Sequence, residues 1–230
     1  MIEEPKALTV KHAAQRPTRK QIAAFQGVAT GFVVDALFGT GAMEPDITPL
    51  GGHKDHVAGP ALTIDNRPSD VLALLAAGPF VQKGDIVINA FAGFQGCAAA
   101  GDRVAGMLKN SGAIGLVTDG PMRDFAGVME VGLPCWCRGL HPNSPYATGP
   151  GRIGLPIQIG ARQVESGDMI VADQDGVVVV PFAKIDEVIA GLALVAILEV
   201  ELDAKVANGL RIPEAIEDLL SDPNKVNEVP

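Results

Sequence analysis

The chain has 230 residues, of which 47% are hydrophobic and only 4% aromatic, so a sizeable core must be built from Val, Ile, Leu and Ala. Lysine and arginine total 18 against 27 aspartates and glutamates, a formal charge of -9 with no basic run. That balance leaves phosphate-backbone binding without an electrostatic footprint and excludes nucleic acid as an expected partner, while local arginines or a metal could still attract a small anion.

The first 17 residues are polar and carry no periodic signal, and read as an N-terminal arm. Thr18 can cap a helix to about Gln26, and a second short helix is expected from Gly31 to Phe38. The Gly- and Pro-rich stretch 39–56 reads as loop with some extended structure. From Val57 onward strands alternate with helices. The expected order is a strand at Val57–Ile64, a helix Asp70–Ala77 capped by Ser69, a strand Ile86–Phe91, a helix from Gly101 to Asn110 and a strand Ile114–Thr118. A short helix near Asp124 and a strand Leu133–Trp136 follow, then a long loop Arg138–Gly151. Strands resume at Ile153–Ile159 and Met169–Ala172, and Asp175-Gly176 is the expected turn into Val177–Pro181. A long helix spans about Ile185 to Ala207, and Pro213 can start a last short one.

This order predicts a mixed α/β domain over residues 18–212, with a tail helix in 213–230. Val81-Gln-Lys-Gly-Asp-Ile-Val-Ile echoes Val164-Glu-Ser-Gly-Asp-Met-Ile-Val, one Gly-Asp strand entry used twice. The longest apolar run, Val188 to Leu198, falls short of the roughly 20 residues that span a bilayer, so no membrane partner is expected. Being apolar nearly all round its helix, it suggests burial at a subunit contact. The acidic start lacks a signal-peptide pattern, and Cys97, Cys135 and Cys137 form no disulfide framework. A cytoplasmic protein is the expectation.

The residues with chemical potential cluster in two places. Gly101-Asp102-Arg103-Val104 sets a glycine and an acid at a helix start, where free backbone N–H groups and the helix dipole favour an anion. Arg123-Asp124 follows just beyond a strand, and ligands in open sheets collect at the carboxyl ends of strands. Each has a plain alternative: Asp102 as a mere N-cap, Arg123-Asp124 as a surface ion pair. His53 and His56 lack a third ligand to complete a zinc set and are read as a loop pair. Cys135 and Cys137 should share one strand face around Trp136, as buried thiols.

Asp102, a gap of twenty residues and then Arg123-Asp124 resembles the D-x20-R-D signature of class II pyruvate aldolases in the RraA-like family. The stretch from Gly112 to Asp124 and the later Gly167-Asp168 to Pro181 also look like family hallmarks. The resemblance covers about residues 20 to 210. It implies a swivelling β/β/α fold, assembled as a homotrimer or a dimer of trimers (a hexamer), with the active site between subunits. It further implies a lyase that cleaves a 4-hydroxy-2-oxo acid to pyruvate through an enolate, with oxaloacetate decarboxylation as a companion activity.

In that reading Asp124 binds Mg2+ or Mn2+, while Asp102 and a neighbour's Glu199 hold its waters, Glu201 being the competing choice for that acid. Arg123 bonds the substrate's carboxylate and 2-oxo oxygens, and backbone N–H groups near Gly101, Asp102, Arg103 and Val104 hold the carboxylate end. A metal-bound water relayed by Asp102 is the expected base. Many relatives carry a bulky aromatic before the Gly-acid pair and apolar residues after it; here Ala98-Ala99-Ala100 precedes Gly101 and Arg103 follows Asp102. That opens the choice of substrate without touching the enolate chemistry. Two alternatives stand beside this reading: a Schiff-base aldolase on Lys109, and a non-catalytic regulator that binds a ribonuclease or another protein.

Overall fold

The strands alternate their side chains between two different cores, and that alternation organises the molecule. A computed structural model describes residues 6–12, 15–227 and 229; expectations for residues 1–5, 13, 14, 228 and 230 lie outside them. The elements in chain order are β1 (Leu8–Val10), α1 (Arg19–Ala24), α2 (Thr30–Ala36), β2 (Thr48–Pro49), β3 (Val57–Asp65), α3 (Leu72–Leu75) and β4 (Ile86–Ala90). Then come α4 (Asp102–Ser111), β5 (Gly115–Thr118), α5 (Phe125–Val131), β6 (Cys135–Cys137), β7 (Gly151–Ile153), β8 (Ile157–Ile159) and β9 (Arg162–Val164). The last elements are β10 (Met169–Asp173), β11 (Gly176–Val180), α6 (Ile185–Ala207) and α7 (Glu214–Ser221).

The main sheet runs β1-β7-β3-β4-β5-β6-β2, with β3, β4, β5 and β6 mutually parallel. Such a parallel core is buried on both faces. Leu62, Ile64, Val87, Leu116, Cys135 and Cys137 face one way, onto Leu74, Leu108 and Val128 of α3, α4 and α5. Their neighbours Ala61, Ile86, Ile88, Val117 and Trp136 face the other way, onto Ile157, Ile159, Val164, Ile170, Val177 and Val179 of β8–β11. The period of two along each strand thus serves two apolar layers at once. The result is the β/β/α layering that the resemblance implies, and it places the two cysteines on one face as expected.

Strand β3 joins the layers. Its first half pairs antiparallel with β10 (Ala58 opposite Val171), and its second half pairs parallel with β4 (Leu62 opposite Val87). The two Gly-Asp entries prove to be one turn built twice. Gly84 and Gly167 have φ of 92° and 100°, which favours glycine. In each, the aspartate side chain accepts the N–H three residues back: Asp85 from Gln82 at 2.7 Å and Asp168 from Glu165 at 2.8 Å.

Several boundaries differ from the sequence expectation. The polar arm contains β1, which pairs parallel with β7. Ser69 does not cap a helix: it has φ 67°, and α3 starts three residues later without a side-chain cap. Asp70 instead accepts N–H donations from Leu72, Thr148 and Gly149 and pins the 146–149 loop, a long-range role that no local pattern announces. The span Ile153–Ile159 is two strands, and the hairpin turn falls one residue early, on Gln174-Asp175, with Asp173 opposite Gly176. Thr18 does cap α1, in a full capping box with Gln21.

The chain divides into two compact units, one ending at Leu192 and one beginning at Ala193. Helix α6 is divided between them, its first eight residues lying in the first unit with Ile185, Val188 and Leu192 buried. In the second, Leu194, Ile197, Leu198, Val200 and Val206 are exposed. No helix of the described residues is long and apolar enough to cross a membrane.

Candidate active site

Because β4 and β5 are parallel neighbours, the segments that leave their carboxyl ends emerge on the same edge of the sheet. Past that edge the chain forms a small ladder. Ala99 donates its N–H to the Pro121 carbonyl at 2.7 Å, and Arg123 donates to the Ala100 carbonyl at 3.0 Å. On the far side Met122 donates to Gly139 and accepts from His141, each at 2.9 Å. The ladder sets Gly101 against Arg123 and Asp124. A Cβ at position 101 would lie 2.6 Å from Asp124 Oδ2 and 3.2 Å from Arg123 Cγ, so the glycine is needed for close approach. Its φ of -150° is ordinary extended backbone.

Gly101 is the N-cap of α4, and Asp102 is its first helical residue, so the plain expectation of Asp102 as N-cap does not hold. The Asp102 carboxylate accepts from the Arg103 N–H at 2.6 Å and packs toward α5, where a Cβ at Gly127 would stand 2.6 Å from its Oδ2. The other acid, Asp124, immediately precedes α5 with φ 58° and ψ 43°. Left-handed backbone is uncommon outside glycine, although aspartate tolerates it better than most residues. Its carboxylate makes no capping bond to the helix it precedes. What it does meet is the guanidinium of Arg123, with Nε 3.3 Å from Oδ2.

Arg123 is held from a second side. Its Nη1 donates to the Ser144 hydroxyl at 2.6 Å. Ser144 lies in the Pro-rich stretch after β6, twenty-one residues away, and nothing in its local sequence marks it. Together Gly101, Asp102, Arg103, Val104, Arg123 and Asp124 line a cleft of about 270 Å³. These are all the sequence-predicted substrate and metal residues except Glu199. Glu199 lies on α6 in the second unit and is not among the residues lining this cleft.

Among the described residues, no three His, Cys, Asp or Glu side chains gather as a metal cage. A closed zinc site therefore has no ligand set here. Two carboxylates with solvent are the kind of donor set that magnesium or manganese uses. The histidines serve structure: His53 Nε2 meets the Cys135 carbonyl at 3.1 Å and its ring stands edge-on to Trp136, while His56 Nε2 meets the Val28 carbonyl at 2.7 Å. Lys109 donates to the Val131 and Gly132 carbonyls at the end of α5 and is exposed, the opposite of a desolvated nucleophile. Cys135 and Cys137 are buried, and burial pushes both thiols up, Cys135 the more strongly.

One acid nearby has a different task. Asp119, at the end of β5, accepts the N–H groups of Phe91 at 2.5 Å and Gly93 at 2.8 Å, tying the segment after β4 to the segment after β5. Burial raises its carboxyl above the ordinary range, against the pull of those donors and of Arg138.

A family model described as RraA-like, aldolase/RraA, matches residues 30–179. A protein of Halalkalibacterium halodurans named "Putative 4-hydroxy-4-methyl-2-oxoglutarate aldolase" is 36% identical over 168 residues, covering 73% of this chain and 80% of that protein. Among solved structures, Streptomyces coelicolor RraAS2, described as an unusual member of the RNase ES inhibitor RraA protein family, is 28% identical with a TM-score of 0.68. That match covers 84% of this chain and 98% of RraAS2. An uncharacterized protein from Pseudomonas syringae, 23% identical, reaches a TM-score of 0.72 over 85% of this chain and 96% of its own, a likeness of fold alone. This chain belongs to the RraA-like family of aldolase/RraA proteins.

Proposed function

We propose that the protein is a lyase that cleaves a 4-hydroxy-2-oxo acid to pyruvate and a second oxo compound. One observation carries the reading: Asp124 and Arg123 share one cleft with the N-terminus of α4, and the Asp124 carboxylate caps nothing. The aldolase name of the 36%-identical relative agrees with it.

The residues divide the work by position. The substrate carboxylate lies against the backbone N–H groups of Asp102 and Val104, and against that of Arg103 once the Asp102 carboxylate gives it up, where the helix dipole favours a negative charge. Arg123 donates to the 2-oxo oxygen. Loss of the 4-hydroxyl proton, relayed through solvent to Asp102, lets the C3–C4 bond break. Its electron pair enters the enolate, C4 leaves as a carbonyl carbon, and C3 is then protonated to give pyruvate. Negative charge develops on the oxygen that Arg123 already faces, and preorganised donors are most effective there. Magnesium or manganese, when bound, would supply Lewis-acid polarisation of the 2-oxo group. Asp124 would hold the ion directly, and Asp102 and Glu199 would face its hydration shell.

Glu199 reaches this role from a neighbouring copy in a homotrimer, single or paired. The exposed apolar side chains Leu194, Ile197, Leu198 and Val200 on the same helix support such an assembly, because a monomer gains nothing by exposing them. Oxaloacetate yields the same enolate on losing carbon dioxide, so decarboxylation belongs to the same proposal. A regulator that binds a ribonuclease is the second reading, and the likeness to RraAS2 favours it.

The test is pyruvate release, coupled to lactate dehydrogenase, from 4-hydroxy-4-methyl-2-oxoglutarate and from oxaloacetate. It is run with magnesium, with manganese and with a chelator. Metal-dependent turnover that disappears in Asp124→Ala and Arg123→Ala is the expected result. Absence of turnover on both compounds, or turnover indifferent to chelator and both substitutions, overturns the lyase reading and brings the regulator forward.

A further inference from the structure

An arginine that stabilises a developing charge must point one way before the reaction begins. Among the described residues the Arg123 guanidinium meets Asp124, with Nε 3.3 Å from Oδ2, and Ser144, whose hydroxyl accepts from Nη1 at 2.6 Å. The first contact is the looser, and in the proposed lyase that carboxylate faces the metal. Ser144 is left to fix the guanidinium. Solvent reaches this bond, and an exposed bond between two mobile side chains contributes little, because both give up freedom to make it. It orders the arginine only if the serine is already held.

The serine is held. It sits in Pro142-Asn143-Ser144-Pro145, where each proline fixes its own φ and Pro145 drives the residue before it to extended backbone. The chain is bonded on both flanks of this stretch. Upstream, His141 donates to the Met122 carbonyl at 2.9 Å, and the Asn143 carbonyl accepts from Ala98 at 3.0 Å. The Asn143 amide donates to the Gly96 carbonyl at 3.2 Å. Downstream, Tyr146 donates to the Ser69 carbonyl at 2.7 Å and accepts from Val71 at 2.9 Å, while Asp70 takes the N–H groups of Thr148 and Gly149. The upstream anchor matters most for chemistry, because residues 96–98 lead directly into Gly101 and the N-terminus of α4. The hydroxyl that meets Arg123 is thus tied to the segment that carries the helix start.

We propose that Ser144 is a positioning residue for the cleavage, setting the plane of the Arg123 guanidinium against the N-terminus of α4; the proposal rests on the lyase reading above. Ser144 is not among the residues lining the cleft, so it acts through the arginine. In that reading Arg123 faces the oxygen on which enolate charge develops. A guanidinium free to swing then weakens the transition state more than the bound substrate.

The experiment is a double-mutant cycle read by pyruvate release from 4-hydroxy-4-methyl-2-oxoglutarate. Ser144→Ala is expected to lower kcat about 10- to 30-fold, with KM changed by less than about twofold. Its melting temperature should fall by no more than about 4 °C. Ser144→Thr keeps the hydroxyl and should return kcat to within about threefold of the wild type. In an Arg123→Lys background the cation has no plane to set, so adding Ser144→Ala should cost less than about threefold more. An unchanged kcat in Ser144→Ala overturns the proposal. Equal losses in both backgrounds do so too, since the hydroxyl would then act without the guanidinium. A loss that Ser144→Thr does not restore, or one with a larger melting shift, overturns it in favour of a purely structural serine. Absence of wild-type turnover on this compound and on oxaloacetate overturns the lyase reading itself, whereas an active wild type matched by Ser144→Ala overturns the role of Ser144 alone.

Discussion

Asp119 and Asp124 stand five residues apart on one loop, and their surroundings assign them opposite work. Asp119 is buried, and its two oxygens accept backbone N–H groups from the segment after β4. Asp124 is exposed, sits in left-handed backbone and offers nothing to the helix behind it. The first carboxylate is consumed in holding the loop, and the second stays open, as the proposed lyase requires. Acidity or position along the chain does not separate them; the count of donors already bonded to each does.

The sharpest way to break this comparison is to remove Asp124 and its ion-pair partner Arg123. Arg123→Ala and Asp124→Ala should each lower kcat about 100- to 1,000-fold, as losing a preorganised electrostatic contact does. Melting temperature should fall by only about 2–4 °C, the cost of alanine in the left-handed backbone at 124 and of the lost Ser144 bond at 123. Scanning calorimetry beside the pyruvate assay checks both halves, and a large melting shift in Asp124→Ala would show that its carboxylate is structural after all.

Asp119→Ala should do the reverse. It strands the Phe91 and Gly93 N–H groups, at a cost of about 2–4 kcal/mol. For a chain of this size that corresponds to a melting temperature about 5–15 °C lower. Residual activity at low temperature should exceed that of Asp124→Ala. Between the two lies Gly101→Ala. Its new methyl group would meet the Asp124 carboxylate, which can swing aside, so stability should barely change. If Asp124 has the proposed role, displacing its carboxylate by even a fraction of an ångström should still cost on the order of tenfold in kcat/KM.

The sequence was most legible where chemistry is local. Thr18 with Gln21 announces a capping box, and the alternation through Cys135, Trp136 and Cys137 announces two buried faces. The cleft residues at 101–104 and 123–124 were suggested by a helix start and a strand end, but only the resemblance joined them into one site; the ladder that joins them is made by backbone bonds between segments far apart in sequence. Ser144 was invisible for the same reason, because its partner lies twenty-one residues away in a stretch rich in proline. Strand β1 hid in a polar arm since it needs only backbone pairing with β7. Asp70 read as part of a helix because its true partners, Thr148 and Gly149, come from the loop it pins.

That last acid gives the comparison its smallest but cleanest extension, to pH. Burial by itself would raise the Asp70 carboxyl, but donations from Leu72, Thr148 and Gly149 outweigh it and hold the group below its ordinary value of 3.8. The folded state therefore binds fewer protons at Asp70 than the unfolded state, and its stabilisation is complete above 3.8 and lost as pH falls through the lower folded value. Asp85, Asp119 and Asp168 run the other way, because burial raises all three despite their hydrogen bonds. Each binds more protons folded than unfolded, so its ionisation costs stability at neutral pH, a cost that fades as pH drops through its raised value toward 3.8, while its hydrogen bonds remain stabilising. Melting temperature on acidification should then be supported by the buried three until about pH 4, with Asp70 adding to the decline below it. Asp70→Asn should lower the melting temperature at pH 7 and shrink its difference from the wild type below pH 3.8; a difference constant across that range would mean that the loop is held by something other than the Asp70 charge.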